Sequence, residues 1–342
     1  MFKRILVPLD GSKRAERSLP VAMRLARACG GSITLLRVVS AAVDFWPSVA
    51  GNPALAQEVV DSELAAAVAY LAAIKDSPEF NGITTETIAV FGQAASTILE
   101  VTHSQKVDLI VLCSHGYTGM KRWVMGSVAE KVAYHAPVPV LVLREAGAVP
   151  ADLHPDPSRP LRALVPLDGS SLAKAVLEPV AHLVASLAAP SQGMLHLVRV
   201  VKPPTAGNVQ QDLQVSEEYL HKARTYLRTT VEHLREGLVA PAVAELKLPV
   251  TWSVAVDEDV AGAIVRVAEN GEDAEGAGIF GGCDLIAIAT HGRGGVQRWA
   301  MGSITQRVLV ATTLPLLIVR PTQTMDKSRV KWDEETIATV KG

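Results

Sequence analysis

Two kinds of apolar pattern alternate along this chain. Short uniform runs such as Ile5-Leu-Val, Ile33 to Val39, Thr84 to Val90 and Leu109 to Leu112 read as strands buried on both faces of a parallel sheet. Between them, apolar residues recur at helical spacing. Ala15, Leu19, Ala22, Ala26 and Cys29 share one face of a helix over Ser12 to Cys29, stopped by Gly30-Gly31, with a bend expected at Pro20. An Ala-rich helix over Ala54 to Lys75, one over Ala94 to Gln105 and one from Val128 to before Pro137 complete the set, and Pro139 to Arg144 is the last strand. Ala41 to Pro53 reads as loop. Regular alternation of strand and helix predicts an α/β fold, a doubly wound, Rossmann-like parallel sheet with right-handed crossovers. With strand order 3-2-1-4-5, the turns after strands one and four become neighbours at the switch point, where such sheets bind ligands.

The pattern then repeats. Arg162-Ala-Leu-Val-Pro-Leu-Asp168-Gly-Ser170 restates Arg4-Ile-Leu-Val-Pro-Leu-Asp10-Gly-Ser12, and the Arg-Val-Val ending at Arg199 restates that at Arg37. Gly116 and Gly126 recur as Gly292 and Gly302, 176 residues on in each case. The chain of 342 residues therefore divides into two tandem five-stranded domains, residues 1–146 and 161–321, joined by a Pro-rich linker over 147–160. The wider spacing late in the second copy falls mostly in Asn270 to Gly282, an acidic, Gly-rich insertion that reads as a mobile surface loop. Residues 322–342 form a charged tail.

The repeated loop carries the chemistry. Ser114-His115-Gly116-Tyr117-Thr118-Gly119 follows a strand and leads, through Gly126-Ser127, into a helix; Thr290-His291-Gly292-Arg293-Gly294-Gly295 leads likewise into Gly302-Ser303. Unpaired N–H groups and the positive end of a helix dipole meet there, which makes an anion site. Gly126 and Ser127 alone are equally well read as a turn and cap. Their recurrence with intact glycine spacing among otherwise different residues favours the anion site. Asp10 and Asp168 end the first strands, where each is either a ligand contact or a helix cap, a job Ser12 can also do. His115 and His291 contact ligand or orient the loop. Arg293 suits a phosphate and the matched Tyr117 does not, so the two sites are expected to differ.

With both loops and both Asp turns in view, each half resembles the universal stress protein family, over roughly residues 3–144 and 161–320. The nucleotide-binding branch of that family carries a G-x2-G-x9-G-[S/T] signature. Gly116 with Gly126-Ser127, and Gly292 with Gly302-Ser303, match its second and third glycines, while Cys113 and Ala289 stand at the first. The resemblance implies adenine-nucleotide binding, with ATP as the ligand and Mg or Mn possible beside it. Asp10 and Asp168 would lie near ribose or metal, and Val38 and Val200 would give backbone contacts to adenine. Gly116, Gly126, Ser127, Gly292, Gly302 and Ser303 would hold phosphates. Pro8, Pro166, Ser114, Thr290, His115, His291, Gly119, Gly295 and Arg293 complete the expected lining. The family commonly pairs through its last strand, here Val140 to Leu143 and Leu316 to Val319, so the halves are expected to pair internally, with a homodimer and an unidentified protein partner also expected.

Other classes lose ground. Net charge of −2 gives no general attraction to nucleic acid or anionic lipid. Cys29, Cys113 and Cys283 are odd in number and far apart, without disulfide or zinc spacing. No run of about 20 apolar residues suggests a membrane span, and no signal-peptide pattern opens the chain, so a soluble cytoplasmic protein is expected. Neither the P-loop lysine nor the dinucleotide G-x-G-x-x-G is in place. No nucleophile–base set or paired carboxylates are arranged for catalysis. The expectation is thus an ATP-binding stress-response regulator that is not an enzyme. An interaction module that has lost nucleotide and a slow ATP hydrolase, using Asp10 or His115 with a metal, are the alternatives.

Overall fold

The computed structural model describes residues 2–40, 53–114, 126–144, 159–203, 209–276, 278–290 and 301–321. Its first half runs β1 (Arg4–Leu9), α1 (Lys13–Glu16), α2 (Ser18–Cys29), β2 (Ser32–Val39), α3 (Pro53–Lys75), β3 (Thr84–Phe91), α4 (Ala94–Ser104), β4 (Leu109–Ser114), α5 (Ser127–His135) and β5 (Val140–Arg144). The second half repeats the plan. It runs β6 (Leu161–Pro166), a 3₁₀ turn (Ala173–Val176), α6 (Leu177–Ala188), β7 (Gly193–Val201), α7 (Val209–Arg235), α8 (Ala242–Glu245), β8 (Val250–Val256), α9 (Val260–Asn270), β9 (Glu272–Ala274), β10 (Gly278–Phe280), β11 (Leu285–Ala289), α10 (Ser303–Ala311) and β12 (Leu316–Val319). Among the described residues no helix is long and apolar enough to cross a membrane.

Sheet order is β3-β2-β1-β4-β5-β12-β11-β6-β7-β8, so each half shows the expected 3-2-1-4-5 arrangement, parallel throughout. The halves meet where β5 and β12 pair antiparallel, Leu316 opposite Val142 and Ile318 opposite Val140. Every residue of β5 and β12 is buried. One apolar layer on each face of the sheet runs across this seam: Leu141, Leu143 and Leu317 belong to one, Val140, Val142, Leu316 and Ile318 to the other. On the first face α2 packs on α6, with Arg24 donating to the carbonyl of Ala189 at 3.1 Å and Cys29 Sγ 3.2 Å from Ser186 Oγ.

Two expectations need correction. The bend assigned to Pro20 falls at Arg17, where α1 ends and α2 begins. A continuous helix would leave the Glu16 carbonyl without a donor and against the proline ring. Breaking at Arg17 places Pro20 third in α2, within the first turn, where no N–H is needed. Ser18 Oγ then donates to the freed Ala15 carbonyl at 2.6 Å. Pro179 is likewise third in α6, behind a 3₁₀ turn.

The second correction concerns the insertion read as a mobile loop. It is a hairpin, β9 pairing antiparallel with β10, Gly278 opposite Ala274 and Phe280 opposite Glu272. The hairpin is fastened to β8: the N–H of Glu275 donates to the Trp252 carbonyl at 2.9 Å, and Arg224 of α7 meets Glu275 at 2.8 Å. Beneath it runs a polar chain. Ser253 Oγ donates to Glu272 at 2.8 Å, His196 Nε2 lies 2.9 Å from that Oγ, and His196 Nδ1 lies 2.8 Å from Thr251 Oγ1. β8 ends the sheet, so the acidic hairpin covers backbone that an edge strand otherwise offers to other chains.

Candidate functional site

Both Asp turns are built alike. Asp10 Oδ1 accepts from the Ser12 N–H at 2.9 Å and from its hydroxyl at 2.6 Å, and Ser12 Oγ then accepts from Ala15 N at 3.1 Å. The second copy gives 2.9, 2.7 and 3.2 Å for Asp168, Ser170 and Ala173. The capping role considered for Asp10 therefore falls to Ser12: Ser12 caps the helix, and the carboxylate holds Ser12. Gly11 and Gly169 take the positive φ, +86° and +94°, that the tight turn imposes. Asp10 is exposed and Asp168 half-buried. Pro8 and Pro166 lie half-buried near the carboxyl ends of β1 and β6, and Val38 and Val200 next to last in β2 and β7.

β4 lies beside β1, with Ile5 opposite Leu109, so Ser114 and Asp10 end neighbouring strands. Ser114 is fully buried; its hydroxyl donates to the Leu143 carbonyl at 3.3 Å, so it holds the root of the loop in place. Thr290, also buried, donates its N–H to Val319 at 2.9 Å and accepts from the Gly302 N–H at 2.8 Å. Loop residues His115, Gly116, Tyr117, Gly119, His291, Gly292, Arg293 and Gly295 lie outside the described residues.

α5 and α10 open in the same way. Gly126 (φ −59°, ψ 139°) and Gly302 (φ −59°, ψ 142°) stand at their N-caps, and no side chain caps either helix. By contrast Ser12 caps α1 and Asp259 caps α9 through their side chains. The first intrahelical bonds are Glu130 N to Gly126 O and Gln306 N to Gly302 O, leaving the N–H groups of the preceding turn without helical acceptors. Ser127 and Ser303 are exposed. A Cβ at Gly302 would stand 3.2 Å from the Thr290 carbonyl, so a larger residue would have to push this helix start a few tenths of an ångström from the strand end. Thr305 Oγ1 adds a bond to the Ala289 carbonyl at 2.9 Å; Ala129, its match in α5, carries no hydroxyl.

A model of the universal stress protein family matches residues 1–144 and 161–320. The chain belongs to the universal stress protein family. A universal stress protein of Mycolicibacterium smegmatis is 26% identical over 326 residues, covering 93% of this chain and 97% of that protein. One of Bacillus subtilis strain 168 is 31% identical over 148 residues, 42% of this chain and all of that protein. The crystal structure of a universal stress protein from Archaeoglobus fulgidus DSM 4304 superposes with a TM-score of 0.54 at 20% identity, covering 93% of this chain and 98% of that one. These likenesses support a tandem double-domain universal stress protein.

Within this tandem universal stress protein, one repeated feature of the Asp turns joins residues that no sequence motif links. Arg37 of β2 sets its guanidinium 4.9 Å from the ring centre of Tyr70 on α3, and a Cβ at Gly11 would fall 2.9 Å from Arg37 Cζ. The guanidinium is thus wedged between ring and turn. Arg199 of β7 lies at the same 4.9 Å over Tyr226 of α7. The third member differs in sign. Tyr70 donates its hydroxyl to Glu16 at 3.1 Å, whereas Lys174, at the matched position, sits 5.1 Å over Tyr226. Burial, then the charge and hydrogen bond of Glu16, push the Tyr70 hydroxyl well above its usual pKa. The signal was the arginine in each Arg-Val-Val ending, a charge placed among apolar strand residues. Its partner lies on a separate helix, which no local pattern reveals.

Proposed function

We propose that this universal stress protein binds ATP in each half and acts as a nucleotide-dependent stress-response regulator rather than a turnover enzyme. One observation carries the reading: α5 and α10 each begin at an uncapped glycine with matched backbone angles, beside an Asp turn built identically in both halves. Polyanionic phosphate needs several N–H donors converging at short range, and an open helix start without a competing side chain supplies them. Adenine would rest against the ends of β2 and β7, near Val38 and Val200. Asp10 and Asp168 fit a ribose hydroxyl or a magnesium or manganese ion. Among the described residues no group of three or more metal-ligating side chains gathers. A metal here would therefore draw most of its ligands from phosphate oxygens and water, as magnesium commonly does.

Regulation is favoured over turnover because hydrolysis also needs a group that positions and activates water in line with the terminal phosphate. N–H donors and hydroxyls stabilise ground-state phosphate as readily as a transition state. The test is Gly126→Asp combined with Gly302→Asp. Calorimetry should show ATP binding abolished by steric block and charge repulsion, with the circular dichroism spectrum unchanged. Unaltered affinity in that double variant would remove the helix starts as the phosphate site.

A further inference from the structure

Arg144 closes β5 at the loop-bearing edge of the first half, and its side chain is only 3% exposed. Because β5 pairs antiparallel with β12, the space beyond Arg144 belongs to the second half. The guanidinium reaches in both directions. Nη1 donates to Ser114 Oγ at 3.2 Å, at the root of the first loop. Nη2 donates to the carbonyl of Leu309, in the last turn of α10. That carbonyl would ordinarily await the N–H of Thr313, which donates to Glu269 at 3.4 Å instead. Arg144 Nη2 thus lies against the negative end of the α10 dipole, which favours a cation there. Burial lowers its pKa to about 10, which keeps it cationic at neutral pH.

We propose that Arg144 is a positioning residue that couples the α10 helix-start site to the strand end at Ser114, beside the site of the first half, so that the two halves do not bind nucleotide independently. The inference rests on the nucleotide reading above. α10 has nine residues, a rod of roughly 13 Å. Its N-terminus, Gly302-Ser303, is the candidate phosphate seat of the second half, and its C-terminus is held by Arg144. An anion drawn onto one end shifts the other. One planar guanidinium serves Leu309 and Ser114 together, so moving them apart breaks a bond in a place where water cannot replace it. Occupancy of either site would then bias the seam between the bonded arrangement and one with a bond of Arg144 broken. Arg320 holds the matched place in the second half and is half-buried.

The experiment titrates ATP into the full-length chain in four forms: wild type, Gly302→Asp, Arg144→Met, and both together. With Arg144 present, blocking the second site should change first-site affinity about fivefold, the low end of ordinary coupling. In the Arg144→Met background the change should shrink to less than about twofold, because the link that carries the coupling is gone. Equal changes in both backgrounds, or none with Arg144 present, would overturn the proposal. Hydrogen exchange without nucleotide gives a second reading. Arg144→Met should speed exchange at both Ser114 and Thr312, on opposite sides of the seam; acceleration on one side only would reduce Arg144 to a cap of that half. Arg144→Lys, which keeps the charge but not the fork, serves if the Met variant does not fold, and the same loss of coupling is expected. If wild type binds no ATP, the nucleotide reading fails by itself, and a two-sided exchange effect still upholds the link.

Discussion

Gly11 carries two constraints that can be separated by experiment. Its φ of +86° is costly for any residue with a Cβ, and the Arg37 guanidinium occupies the space that Cβ would need. Gly82 supplies the control: φ is +79° there, but nothing lies within 4 Å of a built Cβ. Both Gly→Ala variants should lose about 1 kcal/mol to backbone strain. Gly11→Ala should lose a further ~1 kcal/mol, the low end of overpacking, because the group displaced is the end of a flexible side chain. Adding Arg37→Ala should recover much of that excess for Gly11→Ala and none for Gly82→Ala, a coupling read from urea midpoints of the wild type, the three single variants and the two doubles. Equal costs at the two glycines would mean that Arg37 does not shape the Asp turn.

Strands and helices were legible in the chain because each strand feeds both apolar layers and reads as an unbroken apolar run, while each helix turns one face to a layer and reads at helical spacing. The Asp turns and the Gly-Ser helix starts were legible because they recur. What escaped was set by contacts between distant residues. The break at Arg17 follows from where Pro20 must sit, and the Arg37–Tyr70 wedge joins β2 to α3. The hairpin was hidden because its strands, Glu272–Ala274 and Gly278–Phe280, are too short for alternation to announce them. Its anchor has a measurable consequence. Ser253 commits its proton to Glu272, so His196 Nε2–H must donate to Ser253 Oγ while Nδ1 accepts from Thr251. The ring is held neutral, and burial lowers its pKa to about 3. An unfolded imidazole protonates near 6.5, so from that pH downward the unfolded chain binds more protons and stability falls, until the folded ring protonates near 3. Between pH 6.5 and 5 this residue should remove about 2 kcal/mol. His196→Gln should be less stable at pH 7 yet show a flatter decline to pH 5 in urea unfolding; an unchanged slope would contradict the neutral, buried ring.

For the molecule as a whole, the two halves differ in ways that bear on how tightly each would hold nucleotide. Thr305 ties the α10 start to Ala289, where the first half has Ala129, and Arg293 stands where the first half has Tyr117. One charge-assisted hydrogen bond contributes roughly 1.5–3 kcal/mol, enough for a tenfold difference in affinity. Two-site titration of the full chain should therefore lose its tighter phase with Gly302→Asp and its weaker phase with Gly126→Asp. The reverse assignment would show that the Cys113 loop is the better seat.

The same reading fixes what ATP does to the folded chain. A ligand that binds only the native state at 100 times its dissociation constant adds about 2.7 kcal/mol of stability. Because β5, β12 and both apolar layers run across the seam, that gain should appear as a rise of the whole melting transition rather than of one half alone. A non-hydrolysable analogue should raise the midpoint nearly as far as ATP, since binding and not cleavage supplies the stability. Turnover of about 1 per second or faster with magnesium or manganese, stopped by Asp10→Ala with Asp168→Ala, would put a hydrolase in place of the regulator, because a rate in the ordinary enzymatic range requires an activated water that a pure binding site does not hold.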